Sequence, residues 1–122
     1  MLLALAPFLL KLPETIQKIA YPLKYEAQIQ QASQQNGLEP AFVAAVVYTE
    51  SRFRPDAVSS QNAYGLMQLL PETADFIQQR SGIQGDYRDP GVNIRLGAWY
   101  LNYLEGRYDG QETLMLAAYN SG

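Results

Sequence analysis

The sequence predicts a mainly α fold, a helical bundle with at most a short β-ribbon. Apolar residues recur at helical spacing, and the runs that carry them are cut by proline and glycine stops at Gly37, Pro40, Pro55, Pro71, Gly82, Pro90 and Gly110. The strict alternation of a half-buried strand is nearly absent, and residues 56–70 are the one place for a ribbon. At 122 residues, 48% hydrophobic and 17% charged, the chain has enough apolar surface for one core and is read as one domain.

Residues 1–10, MLLALAPFLL, are almost wholly apolar but shorter than the about 20 residues a bilayer span needs. Two readings stay open for them. They fit the apolar part of an export signal or membrane anchor, although no basic residue precedes them. They fit equally a terminal helix packed on the domain, followed by a short helix from Pro13 to Ala20. Leu23 to Asn36 reads as a Gln-rich amphipathic helix with small, sparse apolar positions (Leu23, Ala27, Ile29, Ala32), so one flank faces water, and Gly37 stops it. Pro40 opens a very apolar helix expected to end at Arg52–Arg54, because Pro55 biases Arg54 away from helical angles. A polar loop follows, then the compact run Tyr64–Leu70. Pro71 to Ser81 is the next helix, stopped by Gly82. Asp89 and Pro90 form an N-cap and first-turn pair for a helix to Arg107, and Asp109-Gly110 turns the chain into a last helix from Glu112 to Asn120.

Composition excludes several chemistries. The net charge of -3 makes no electrostatic case for nucleic acid. With no cysteine and no histidine there is no thiolate, no usual zinc site, and no Ser-His or Cys-His catalysis. Acid-base work near neutral pH falls to a carboxylate, Lys or Tyr. No metal and no cofactor are expected, and the chain is expected to be a monomer.

Glu50 stands out on these grounds. On a wheel of about 100° per residue it lies between Phe42, Val43, Val46 and Val47, on the greasy face of the Pro40 helix. Burial there, and the negative helix end, both raise the pKa of a carboxyl, which suits a proton donor. The plain alternative is an ion pair with Arg54. Of the nearest other acids, Asp56 lies in a loop, Glu72 in a first helical turn and Asp75 one turn on, and none makes a convincing second catalytic carboxylate.

Five blocks of this sequence resemble, in order and spacing, the lytic transglycosylase (SLT) domain family. They are Glu50-Ser51-x-Phe53; Pro55-x-Ala57-Val58-Ser59; Gly65-Leu66-Met67-Gln68-Leu69-x-Pro71-x-Thr73-Ala74; Pro90-x-x-Asn93-Ile94-x-Leu96-Gly97-x-x-Tyr100-Leu101; and Ala117-Ala118-Tyr119-Asn120-x-Gly122. The resemblance runs from Leu23 to the end. It divides the chain into an N-terminal segment, 1–22, and a transglycosylase domain, 23–122. It implies a lysozyme-like α+β fold around a saccharide groove. It also implies cleavage of the MurNAc-GlcNAc β-1,4 bond of peptidoglycan, leaving a 1,6-anhydro-muramyl end. The partner would be glycan strands in the bacterial cell envelope. Two departures are visible. Gln61-Asn62 stands where Ala-Gly or Gly-Ala is common. Family domains also continue past the Ala-Tyr-Asn block, so a truncated domain is expected.

The resemblance implies Glu50 as the acid that protonates the glycosidic oxygen and then serves as base. Ser59, Tyr119 and Asn120 are implied substrate contacts. Gln68, the single strongly polar side chain of its run, is read as orienting a sugar amide or hydroxyl, and Met67 as lining the groove beside it. Ser51, Gly65 and Asn93 are read as structural support, Gly65 by allowing close backbone approach and Asn93 through a buried hydrogen bond. Trp99, Tyr100, Tyr103 and Tyr108 are read as core. The rival readings are a lysozyme-type hydrolase on the same fold, a non-catalytic wall-binding module, and a helical domain with no glycan role.

Overall fold

The structure, a computed structural model, describes residues 25–121. The apolar segment 1–10, the Pro13–Ala20 helix, Leu23 and Gly122 therefore lie outside the described residues. Five helices follow one another: α1 (Glu26–Gln35), α2 (Pro40–Ser51), α3 (Pro71–Ser81), α4 (Pro90–Arg107) and α5 (Glu112–Ser121). Among the described residues there is no strand, only two isolated antiparallel bridges, Val58 with Tyr64 and Tyr64 with Leu69.

α1 is thin, as its sparse apolar positions suggest. Only Ile29, Ala32 and Ser33 are buried along it, and Ala27 faces water. Gly37 closes the turn after it at φ 64°. α2 is its opposite: Phe42 to Val47, Thr49 and Ser51 are all buried, so the helix is apolar nearly all round. It ends at Ser51, earlier than Pro55 alone would require. Arg52 and Phe53 both take left-handed angles (φ 53° and 62°), and the Arg52 N–H closes the turn on the Tyr48 carbonyl at 2.9 Å. Two consecutive non-glycine residues in that region hold strain. Phe53, buried in the core, is the anchor that holds the turn.

α4 is the hub. α1, α3 and α5 pack against it, while α1 also carries α2. Gly97 lets the centre of α4 lie flat against Met67, since a Cβ there would come within 2.8 Å of the Met67 Cβ. Asp89 caps α4 as expected, accepting from the Val92 N–H at 3.1 Å. Between α2 and α3 the chain folds back on itself at the site expected for a ribbon. Tyr64 and Leu69 exchange backbone bonds (2.9 and 3.0 Å), and Ser59 N–H reaches the Ala63 carbonyl at 2.9 Å.

Candidate active site

Glu50 sits in the last turn of α2, half-buried, at a cavity of about 170 Å³. Burial alone pushes its carboxyl up from 4.5 to about 7. No cation offsets that among the described residues. Arg54 instead spends its Nε on the Ser51 carbonyl at 3.1 Å, and Arg52 lies over the Tyr48 ring, 5.4 Å from its centroid. The ion-pair alternative with Arg54 is thus not what the structure shows. Glu50 is also the one carboxyl among the residues lining the cavity. Of the other acids, Asp56 is exposed, Asp75 is exposed and accepts from Gln79 at 3.0 Å, and Glu72 lines a neighbouring groove.

The helix end that carries Glu50 is tied down by the next residue. The Ser51 hydroxyl lies 2.8 Å from the Leu66 carbonyl and 3.1 Å from that of Val47, sharing its proton between them. This links α2 to the Gly65–Leu69 turn. In that turn Gln68 takes φ 51°, and its side-chain nitrogen donates to the carbonyls of Ala57 (3.0 Å) and Gly65 (2.9 Å). Two carbonyl acceptors fix which end of the amide is nitrogen. The Oε1 takes no hydrogen bond among the described residues and is the end left for another molecule.

Asn93, fully buried in α4, braces the turn from below. Its Oδ1 accepts from the Met67 N–H at 2.7 Å, and its Nδ2 donates to the Tyr64 and Tyr87 carbonyls at 3.0 and 2.9 Å. Gly65, at φ 89°, admits that amide: a Cβ would stand 2.5 Å from the Asn93 Nδ2. From α5, the Tyr119 hydroxyl donates to the Met67 carbonyl at 2.7 Å. Burial, and then the nearby charge of Glu50, hold its phenol well above the usual range, so it stays a donor.

Of the residues singled out in the sequence, Glu50, Ser59, Gln68, Tyr119 and Asn120 converge on this cavity. Ser59 does so while also making a turn: its Oγ accepts the N–H groups of Ala63 (3.0 Å) and Gln61 (3.2 Å). Met67 does not converge. Its side chain is wholly buried under Gly97, and only its backbone serves the site, by holding Asn93 and Tyr119. Gln61, Thr73 and Tyr100 line the cavity without having been singled out for it. Tyr100 was read as core, and it is both: buried, and tilted against Tyr119 with ring centroids 5.6 Å apart. Spacing along α4 gave no sign that one edge of a core tyrosine opens into a cavity. The rest of that aromatic group is only partly core. Trp99 and Tyr103 stack at 5.4 Å and stay half-exposed, although Phe76 of α3 meets the Tyr103 ring edge-on at 5.6 Å.

Comparison with known proteins shows the family and the fold. Residues 27–122 match the model of the transglycosylase SLT domain. The chain is 38% identical over 112 residues to membrane-bound lytic murein transglycosylase C of Haemophilus influenzae, covering 81% of this chain and 31% of that protein. Among solved structures it superposes on lytic transglycosylase Slt of Pseudomonas aeruginosa, determined as an inactive glutamate-to-glutamine mutant. There the TM-score is 0.78 and the identity 36%, over 84% of this chain and 17% of that one. It also superposes on the 70 kDa soluble lytic transglycosylase of Escherichia coli, with a TM-score of 0.76 and 29% identity over the same shares. The chain thus spans about a third of the length of the first relative and a sixth of the solved structures. On the family model, the relatives and the shared mainly helical, lysozyme-like architecture, this chain belongs to the transglycosylase SLT domain family.

Proposed function

We propose that residues 23–122 act as a peptidoglycan lytic transglycosylase in which Glu50 is acid and then base. The single observation that carries this is a lone, half-buried carboxyl poised near neutral pH in a cavity with no second acid. Glycosidases that use a nucleophile or an activated water need two carboxylates flanking the bond. One carboxyl suffices if the substrate supplies its own nucleophile. In that sequence the Glu50 proton passes to the glycosidic oxygen, and the bond from MurNAc C1 to that oxygen breaks. The carboxylate then takes the proton of the C6 hydroxyl as that oxygen bonds to C1. A 1,6-anhydro ring forms, no water is consumed, and Glu50 ends protonated as it began.

The neighbours fit supporting roles. Ser59, Gln68 and Asn120 offer polar groups to the sugars, and Tyr119 holds the Met67 carbonyl and so the turn beside the acid. Ser51, Gly65 and Asn93 position that turn. The Pseudomonas relative, inactive as a glutamate-to-glutamine mutant, lends support to a glutamate-centred reaction. The site of action is the bacterial cell envelope, in line with relatives named for murein and, in one case, for membrane attachment. No helix of the described residues is long and apolar enough to cross a membrane, and any attachment through residues 1–10 lies outside them.

Digestion of purified murein with the whole chain tests the reading by the ends it leaves. Soluble fragments with anhydro-muramyl ends are expected, and Glu50→Gln should fold normally yet lose about 10²–10⁴-fold in turnover, the usual worth of a positioned proton donor. Reducing ends alone would point to a lysozyme-type hydrolase. Binding without release of fragments would point to a wall-binding module.

A further inference from the structure

The polar groups that line the cavity are mostly committed to the protein itself. Gln68 has given its amide nitrogen to Ala57 and Gly65, and the Tyr119 hydroxyl is bound to Met67. The Ser121 hydroxyl is bound to the Ala117 and Ala118 carbonyls at 3.1 and 3.2 Å, and Ser59 accepts two backbone N–H groups. Two carboxamides have no hydrogen bond among the described residues, those of Asn120 and Gln61. Both are exposed.

Gln61 differs from an ordinary surface glutamine in how its backbone is held. It sits at the tip of the Ser59–Ala63 turn, with its own N–H on the Ser59 hydroxyl at 3.2 Å. Its neighbour Asn62 is locked at φ 72° with its N–H on the Ser59 carbonyl at 3.0 Å. The turn is clamped at its base by the Ser59–Ala63 backbone bond and the Val58–Tyr64 bridge. A side chain on so constrained a tip enters the cavity with its backbone entropy already lost, and only its own rotamers remain to be fixed.

We infer that Gln61 is a specificity-determining residue that reads a secondary amide of the glycan strand beside Glu50. A carboxamide offers one donor end and one acceptor end, and a secondary amide presents the complementary pair, N–H and C=O. Peptidoglycan carries such amides in two places, the acetamido groups of its sugars and the bonds of its stem peptides. The inference rests on the glycan-cleaving reading and adds the chemical group that is selected.

The test uses the whole chain with Gln61→Met, which keeps length and removes the amide, and Gln61→Asn, which keeps the amide on a shorter arm. Loss of one or two neutral hydrogen bonds predicts a rise in KM of roughly three- to tenfold for Gln61→Met, with kcat and the pH profile unmoved. Gln61→Asn should recover part of it. A rise on strands stripped of stem peptides assigns the acetamido group, whereas a rise only on peptide-bearing strands assigns the stem. Unchanged KM on both, with anhydro ends still produced, overturns the inference and leaves the transglycosylase reading standing. Sedimentation with insoluble strands gives a second readout in a Glu50→Gln background. Adding Gln61→Met should weaken retention by a similar factor, and equal retention counts against the role of Gln61 whatever the state of turnover. If the parent chain neither cleaves nor binds murein, both readings fall together.

Discussion

Glu50 is set by two facts of different origin. Its place on the apolar face of α2 was visible as a helical angle, and that face is buried throughout. The absence of a compensating charge was not visible, because only the folded chain shows Arg54 turned to the Ser51 carbonyl and Arg52 to the Tyr48 ring. A carboxyl raised from 4.5 to about 7 binds its proton more tightly folded than unfolded. It therefore supports the fold below about pH 4.5 and progressively opposes it as pH rises through 7. Glu50→Gln should accordingly stabilise the protein at pH 8 and leave it unchanged at pH 4. The full shift would be worth about 3 kcal/mol, and the partial exposure of the group reduces this to roughly 1–2 kcal/mol. Thermal melts of both proteins at the two pH values check it, and equal melting points at pH 8 would show that the acid is not desolvated. The same shift predicts that cleavage falls off as pH rises above about 7, as the donor form is lost.

At the scale of elements, stops and starts were legible where a single residue type forces them: Pro40, Pro71 and Pro90 begin helices, and Gly82 ends one at φ 77°. α2 ends one residue short of the expected Arg52–Arg54, because its terminator, the left-handed pair Arg52–Phe53, has no compositional signature. It exists because Phe53 reaches the core. Met67 was misread for a related reason. Periodicity in a short turn does not say which side a side chain takes, and the bare Gly97 surface of α4 took it inward. Gly97→Ala measures that contact. Alanine in a helix interior normally gains about 0.5–1 kcal/mol over glycine. Here the added Cβ would stand 2.8 Å from the Met67 Cβ. Overpacking costs about 1–3 kcal/mol, so net destabilisation is expected in urea unfolding. Because Met67 also holds Tyr119 and Asn93, turnover should fall as well. A stabilised Gly97→Ala would mean that α4 and the turn have room between them.

Across the whole molecule, α4 is the frame on which the site is assembled, and Asn93 is where frame and site meet. Its three hydrogen bonds reach Met67, Tyr64 and Tyr87, residues 26, 29 and 6 positions away in sequence. Asn93→Leu would leave the buried Met67 N–H and the part-buried Tyr87 carbonyl without partners, at about 1–3 kcal/mol each, while the Tyr64 carbonyl keeps the Leu69 N–H. A loss of roughly 2–6 kcal/mol is expected, a large share of the 5–15 kcal/mol that holds a domain of this size together. Denaturant titration would show it, and a loss below about 1 kcal/mol would mean that water replaces the amide. The sequence alone determined the helical class, the order of elements, the chemistries excluded by the lack of histidine and cysteine, and the place of Glu50 on an apolar helix face. These depend on residue type and local spacing, which short-range physics ties to backbone geometry. Only the tertiary structure decided which polar groups stay free in the cavity, that Tyr100 and Gln61 border it, and that Met67 does not. Those outcomes rest on partners far apart in sequence, and no local pattern records which donor a buried carbonyl will meet.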